Sequence, residues 1–177
     1  EDVSALDAQR HRQFLEGFVL CVDANIVGGT RVGDPTELAL LDMGLPLNIT
    51  RNELEKRYPR INEQAFDSDR KLMTTVHKSE SGIIAYTKGA TDQLLKKCTH
   101  IAINGQTREI TESDKKNIMS AASKMASLAL RVLGLAVKYG DDTATEENLT
   151  FVGLAGMIDP PRPEAKQAVE HFKNAGV

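Results

Sequence analysis

Tryptophan is missing altogether, and aromatic residues make up only 5% of the 177 residues. A platform for a run of single-stranded bases needs several exposed rings, so that class is excluded. Net charge is -3, the wrong sign for a phosphate-backbone footprint, and no nucleic-acid partner is expected. Cysteine occurs twice, at Cys21 and Cys98, with no C-x-x-C pair. Two buried thiols are the expectation, rather than a disulfide framework or a zinc site. No apolar run approaches the ~20 residues that span a bilayer, and no opening stretch reads as a signal peptide.

Familiar catalytic motifs are also missing. Gly28 and Gly33 stand at phosphate-loop spacing, but Asp34 and Pro35 occupy the positions that need Lys and Ser or Thr, and an acid there repels phosphate. The four histidines, His11, His77, His100 and His171, are scattered without ligand spacing, so no metal site is expected. No G-x-S-x-G elbow occurs.

What remains has the composition of one folded domain, or one domain and a piece of another: 41% hydrophobic and 27% charged. The spacing predicts a helix over 7–22, with Phe14, Phe18 and Cys21 on one face, and then a Gly-rich loop, NIVGGTRVG. DPTELALLDMG carries a full set of helix signals: capping Asp34, Pro35 at the first position, Glu37 in the first turn and Gly44 at the end. A short helix opens at Thr50, with Glu53 three residues on. After Pro59 the period changes to two. Strands are predicted over 60–66, 71–77 and 82–88, the last two joined through KSESG. A short helix over 90–97, a strand over 100–103, an Asn104-Gly105 turn and a helix capped by Thr111 follow. LRVLGLAVK and LTFVGLAGMI read as apolar strands, and DPPRPEAKQAVEHFKNAG as a closing amphipathic helix. Strands in hairpins with helices before and between them predict an α+β fold with a mainly antiparallel sheet.

The stretch FDSDRKLMTTVH, residues 66–77, poses the functional question. Asp67-Ser68-Asp69 superficially resembles a D-x-D nucleophile motif. Such a motif needs an apolar strand before it and small residues after it, whereas NEQAF precedes and Arg70-Lys71 follow. A turn between strands is the simpler reading. The pocket candidates lie beside it. Lys88-Gly89-Ala90 marks a strand giving way to a helix, where a bare backbone lets a planar ring approach and helix N–H groups are free. Phe66 and Lys71 come from neighbouring strand ends, and Met73 is two residues on from Lys71, on its face by strand alternation. Singly these residues read as core or as solvated surface. Together they make a pocket for a purine with a charged tail.

At this point five motifs stand in register: GDPTELALL, FDSDRKLMTTVH, YTKGATDQLL, LRVLGLAVK and GLAGMIDPPRPEAKQAV. In that order and with those gaps the chain resembles the nucleotide-binding domain of P-type cation-transporting ATPases, nearest the calcium-pump branch and of bacterial type. The resemblance implies a six- to seven-stranded, mainly antiparallel sheet flanked by helix pairs. It assigns residues 1–159 to the nucleotide-binding domain and 160–177 to the hinge and first helix of a returning phosphorylation domain, with Asp159 and Arg162 at the junction. It implies that Phe66 stacks on adenine and Met73 packs beside the ring. It places Lys71, Lys88, Gly89 and Ala90 in the pocket, and Glu37 at the adenine amino group. Arg131 reaches toward the phosphates, with Leu133 on its face.

One departure stands out: the position two after the stacking Phe, an Arg in animal calcium pumps, is Ser68. Any contact of that Arg passes to Arg70 or Arg131. The D-K-T-G-T that carries the phosphorylated aspartate does not occur, nor does the later magnesium motif. The resemblance therefore implies no catalytic residue here and no hydrolysis by the chain alone. The ligand is ATP, as Mg-ATP in the whole enzyme. Its partners are the phosphorylation and actuator domains of one polypeptide, and the setting is the cytoplasmic side of a membrane protein, the plasma membrane if bacterial. The chain itself is expected to be a monomer. Stacking contributes about 1–3 kcal/mol and exposed ionic contacts ~1 kcal/mol each. Affinity on the order of 0.1 to several mM is expected once association entropy is counted. Two other classes stay open: a phosphatase of haloacid-dehalogenase type built on Asp67 or Asp159, and a non-catalytic interaction domain.

Overall fold

The computed structural model describes residues 6–158 and 171–172. Helix α1 (Arg12–Leu20) leads into a small hairpin, β1 (Asn25–Val27) and β2 (Thr30–Val32). Helices α2 (Pro35–Gly44) and α3 (Arg51–Arg57) follow, linked through a short 3-10 turn. Then come β3 (Arg60–Asp67), β4 (Leu72–Ser79), β5 (Gly82–Gly89), α4 (Thr91–Lys97), β6 (Cys98–Ile103), β7 (Gln106–Glu109), α5 (Glu112–Ser127), β8 (Leu130–Tyr139) and β9 (Leu149–Ile158). The helix predicted over 159–176 and the Asp159–Arg162 junction lie outside the described residues, apart from 171 and 172, which are helical.

The main sheet has seven strands in the order β3-β4-β5-β8-β9-β6-β7. All its pairs are antiparallel except β6 with β9, so the α+β, mainly antiparallel expectation holds. That parallel pair escapes hairpin logic, because β6 reaches β9 past α5 and β8.

Alternation divides the sheet cleanly. Met73, Tyr86, Leu135 and Val137 face a core built with Phe18, Leu20, Leu40, Leu41 and Leu54 of α1, α2 and α3. Leu72, Ala136 and Phe151 face the other way, against Leu94 and Leu95 of α4 and Ile118 of α5. Cys21 and Cys98 fall in different clusters, both unpaired, and burial raises both thiol pKa values, that of Cys98 to about 12.

Local chemistry explains the element ends. Asp34 accepts from the Thr36 amide at the start of α2, and Thr50 from the Glu53 amide at α3. Thr111 and Asp114 form a reciprocal capping box on α5. The stretch read as a Gly-rich loop is partly a hairpin. Gly28 and Gly29 both take positive φ, as a two-residue turn between right-twisted strands requires. Asn104 and Gly105 do the same between β6 and β7. Helix α1 is shorter than predicted, beginning at Arg12 because Asp7 caps a preceding turn through the amides of Gln9 and Arg10.

Candidate functional site

Phe66 lies near the end of β3, an edge strand of the sheet. Between the pairs Gln64–Thr74 and Asp67–Leu72 the register slips. Ala65 and Phe66 together fill the space across from Met73, and the irregularity turns the Phe66 ring outward, 62% exposed. An unpaired aromatic left in solvent in so aromatic-poor a chain is the feature a stacking role requires.

The cluster after Phe66 is a turn. The Asp67 carboxylate accepts from the amides of Asp69 and Arg70 at 3.0 and 2.9 Å, the Asx pattern. Those two hydrogen bonds, the one from Arg70 foremost, hold its pKa below the ordinary range. A carboxylate occupied in capping its own turn is a poor candidate nucleophile.

Lys71 closes the turn at φ +56°, with its amide bonded to the Asp67 carbonyl at 2.6 Å. It precedes β4, so strand alternation does not reach back to it, and the expected shared face with Met73 is not how the two residues are related. Lys71 is exposed. Met73 is 1% exposed and packs in the core against the helices. It forms the floor of the row rather than a surface beside a ligand.

Across the sheet from Met73 stands Lys88 of β5. It is 5% exposed, so its ammonium does not project into solvent. Its Nζ donates to Glu37 Oε1 at 2.5 Å, so the two charges are taken out of water together. The other Glu37 oxygen accepts from the amides of Asp23 and Ala24, each at 2.9 Å. Arg51 holds the carbonyls of the same two residues, at 3.0 and 2.6 Å. Glu37 thus joins helix α2, the turn after α1 and strand β5 at one point.

The protein's own packing requires glycine at 89. A Cβ there would lie 2.1 Å from the Lys71 carbonyl oxygen and 2.8 Å from Leu72 Cδ2. That carbonyl also accepts from the Ala90 amide at 3.0 Å. Ala90 caps α4, and its amide is therefore engaged rather than free. This contact ties the strand-to-helix junction at 88–90 to the turn that carries Lys71.

Arg131 enters from β8, where it is exposed, and donates to the Thr36 hydroxyl in the first turn of α2. Burial pushes the Asp34 pKa up, but hydrogen bonds from Thr36 and Glu37 and the charge of Arg131 leave it below its usual value. Leu133 is half-buried and packs against the core beside α1 and α2. The register Met73–Lys88–Leu135 carries one face of the sheet from β4 to β8. Met73, Lys88, Leu133 and Arg131 therefore share one face of the sheet, a shelf crossed by the start of α2, with Lys71 in the turn before it and Gly89 and Ala90 at the adjoining junction. Arg70, one of the two expected substitutes for the arginine missing at Ser68, is turned elsewhere. Its guanidinium binds Glu146 at 2.5 Å and the Ala65 carbonyl at 2.7 Å. Arg131, the other, bonds to the Thr36 hydroxyl.

A cleft of about 640 Å³ between α1 and the far strand ends is lined by residues such as Arg12, Tyr58, Tyr86 and Tyr139, and none of the candidate residues. A second, of about 220 Å³, lies near Asn25, Leu41 and Arg51. Among the described residues no three His, Cys, Asp or Glu side chains gather to hold a metal, and no helix is long and apolar enough to cross a membrane.

Fold and shelf together describe an α+β domain that offers an exposed ring and basic groups beside a buried Lys–Glu pair. Comparison with known proteins agrees. The family described as P-type ATPase, cytoplasmic domain N, matches residues 10–164, and the chain belongs to it. A protein named calcium-transporting ATPase 1 of Bacillus cereus is 48% identical over 94% of this chain and 19% of its own length. A calcium-transporting ATPase of Listeria monocytogenes is 33% identical over 96% of this chain and 20% of its own. The human calcium-transporting ATPase type 2C member 1 is 35% identical over 93% of this chain and 18% of its own. The chain thus spans about one fifth of the length of these relatives.

Proposed function

We propose that this chain is the ATP-holding domain of a P-type calcium-transporting ATPase. It grips the nucleotide by adenine and leaves the γ-phosphate free for transfer to an aspartate in a separate phosphorylation domain. The observation that carries the reading is the 62% exposed Phe66 ring at the irregular edge of β3, in line with Met73 and the Lys88–Glu37 pair. Adenine stacks on Phe66. The Lys71 and Arg131 cations draw the triphosphate outward along the shelf, and Mg²⁺ arrives on the phosphates. Glu37 and Lys88 set the floor at the adenine end. The phosphorylation and actuator domains of the same polypeptide are its partners, on the cytoplasmic side of a plasma membrane. A shelf with no phosphate loop gives a weak grip, which suits a domain that must close on its partner and release.

Calorimetric titration of AMP and ATP into the chain and its Phe66→Ala variant tests this. Millimolar-range binding of both nucleotides, weakened about tenfold or more by the substitution, is expected, since stacking is worth about 1–3 kcal/mol. Unfolding stability should change by less than about 0.5 kcal/mol, because the ring is exposed. Undiminished binding by the variant, or phosphate-ester turnover by the chain alone, would count against the reading.

A further inference from the structure

Behind the shelf, on the opposite face of the sheet, runs a polar chain that the reading above does not use. Its hub is Glu146, 7% exposed, in the loop between β8 and β9. Glu146 Oε1 accepts from Arg70 Nη1 at 2.5 Å and from Thr74 Oγ1 at 3.2 Å. Thr74 Oγ1 lies 2.9 Å from Thr87 Oγ1, and both threonines are fully buried. Arg70 Nη2 donates to the Ala65 carbonyl at 2.7 Å.

Each member on a strand or turn is the sequence neighbour of a shelf residue. Ala65 precedes Phe66, Arg70 precedes Lys71, Thr74 follows Met73 and Thr87 precedes Lys88. Side chains alternate between faces, so along β4 and β5 the network backs the shelf residue by residue. Its support is firm. Ala144, two residues before Glu146, is 2% exposed and packs with Val76 and Ala85. The Asp142 carbonyl accepts from Asn62 Nδ2 of β3 at 2.7 Å. The loop therefore also holds the edge strand at Asn62, beside the earlier of its two register slips, between Arg60 and Asn62.

We propose that Glu146 is a positioning residue for the nucleotide site. Acting through Arg70, it fixes the Asp67–Lys71 turn and with it the direction of the Phe66 ring and the Lys71 ammonium. The inference rests on the nucleotide-binding reading, but its physical content, an ordered turn, is measurable without nucleotide. A buried carboxylate is the right group for the task. It accepts from a guanidinium and a hydroxyl at once, and a buried carboxylate with two donors tolerates little displacement of either.

The test is Glu146→Gln, which keeps the side-chain shape, in the 177-residue chain. Two readouts apply: AMP affinity, and hydrogen exchange at the Arg70 and Lys71 amides, both of which bond to Asp67. AMP should bind about threefold to tenfold more weakly, a fraction of the stacking contribution, and the two amides should exchange at least about tenfold faster. Asp114→Ala, which removes the α5 cap far from the shelf, should lower stability while leaving both readouts unchanged. Arg70→Lys, which keeps the charge but loses the planar fork, should reproduce the Glu146→Gln pattern and serves if that variant fails to fold. Unchanged exchange at Arg70 and Lys71 with unchanged AMP affinity would overturn the proposal. If the wild-type chain binds no AMP, the proposed function fails, and the exchange result alone decides whether Glu146 orders the turn.

Discussion

The Glu37–Lys88 pair makes a prediction whose size follows from its surroundings. In Glu37→Ala, Lys88 loses its partner while its side chain stays 7% exposed, so the ammonium has little recourse to water. Breaking such a pair costs about 3–5 kcal/mol. The amide of Ala24, a fully buried residue, also loses its acceptor, for about 1 kcal/mol or more. In Lys88→Met the reverse holds. The replacement fills the same space, and the Glu37 carboxylate keeps its two amide donors and 15% exposure. That loss should be about 1–2 kcal/mol. With a urea slope of about 2 kcal/mol/M, the denaturation midpoints should fall by about 2 M for Glu37→Ala and about 0.5–1 M for Lys88→Met. The double variant should recover about 2 kcal/mol relative to the sum, since it leaves no stranded charge. If Lys88→Met proves the more damaging, or the two losses simply add, the pair is not a shared buried unit and the argument fails.

Three further outcomes are expected. Gly89→Ala would push a Cβ to 2.1 Å from the Lys71 carbonyl and should lower stability by about 3 kcal/mol or more, read as a melting drop of roughly 10 °C; a loss below about 1 kcal/mol would mean the junction yields freely. His77, fully buried between the Tyr58 carbonyl and the Thr75 hydroxyl, has its pKa lowered by burial from 6.5 to about 4. The unfolded chain then binds the extra proton between those values, so stability should fall as pH drops from 6.5 to 4, by up to about 3 kcal/mol. His77→Gln should lose that part of the slope in unfolding measured across the window. Lys71→Gln, which removes an exposed cation, should weaken ATP about threefold to fivefold and AMP less; equal losses in calorimetry would move Lys71 from the phosphates to the adenine end.

Much of the fold is legible because its signals are local. Asp34-Pro35 announces α2, Thr111 announces α5, and Asn104-Gly105 announces a hairpin, each by chemistry acting over a few residues. The hairpin at Gly28-Gly29 carries the same kind of signal, but its strands have only three residues each and no apolar alternation. Phe66 is legible as a candidate, whereas its exposure is not. The ring faces out because of the slip between Gln64 and Asp67, and a slip leaves no mark in composition. Lys71 illustrates the limit of period-two reasoning, since one residue at positive φ ends the alternation that linked it to Met73. The partners of Lys88 and Arg70 are further from view. Glu37 lies 51 residues from Lys88 and Glu146 lies 76 from Arg70, and nothing but the folded sheet brings them together.

The most direct test of the account is an NMR titration of the chain with AMP and with ATP, following the Phe66 ring and the amides of Lys71, Lys88 and Gly89. Adenine stacked on Phe66 predicts upfield ring shifts of like size for both nucleotides, with ATP adding shifts toward Arg131 and Thr36. Shifts that spare Phe66 and gather instead in the cleft lined by Tyr58, Tyr86 and Tyr139 would contradict it.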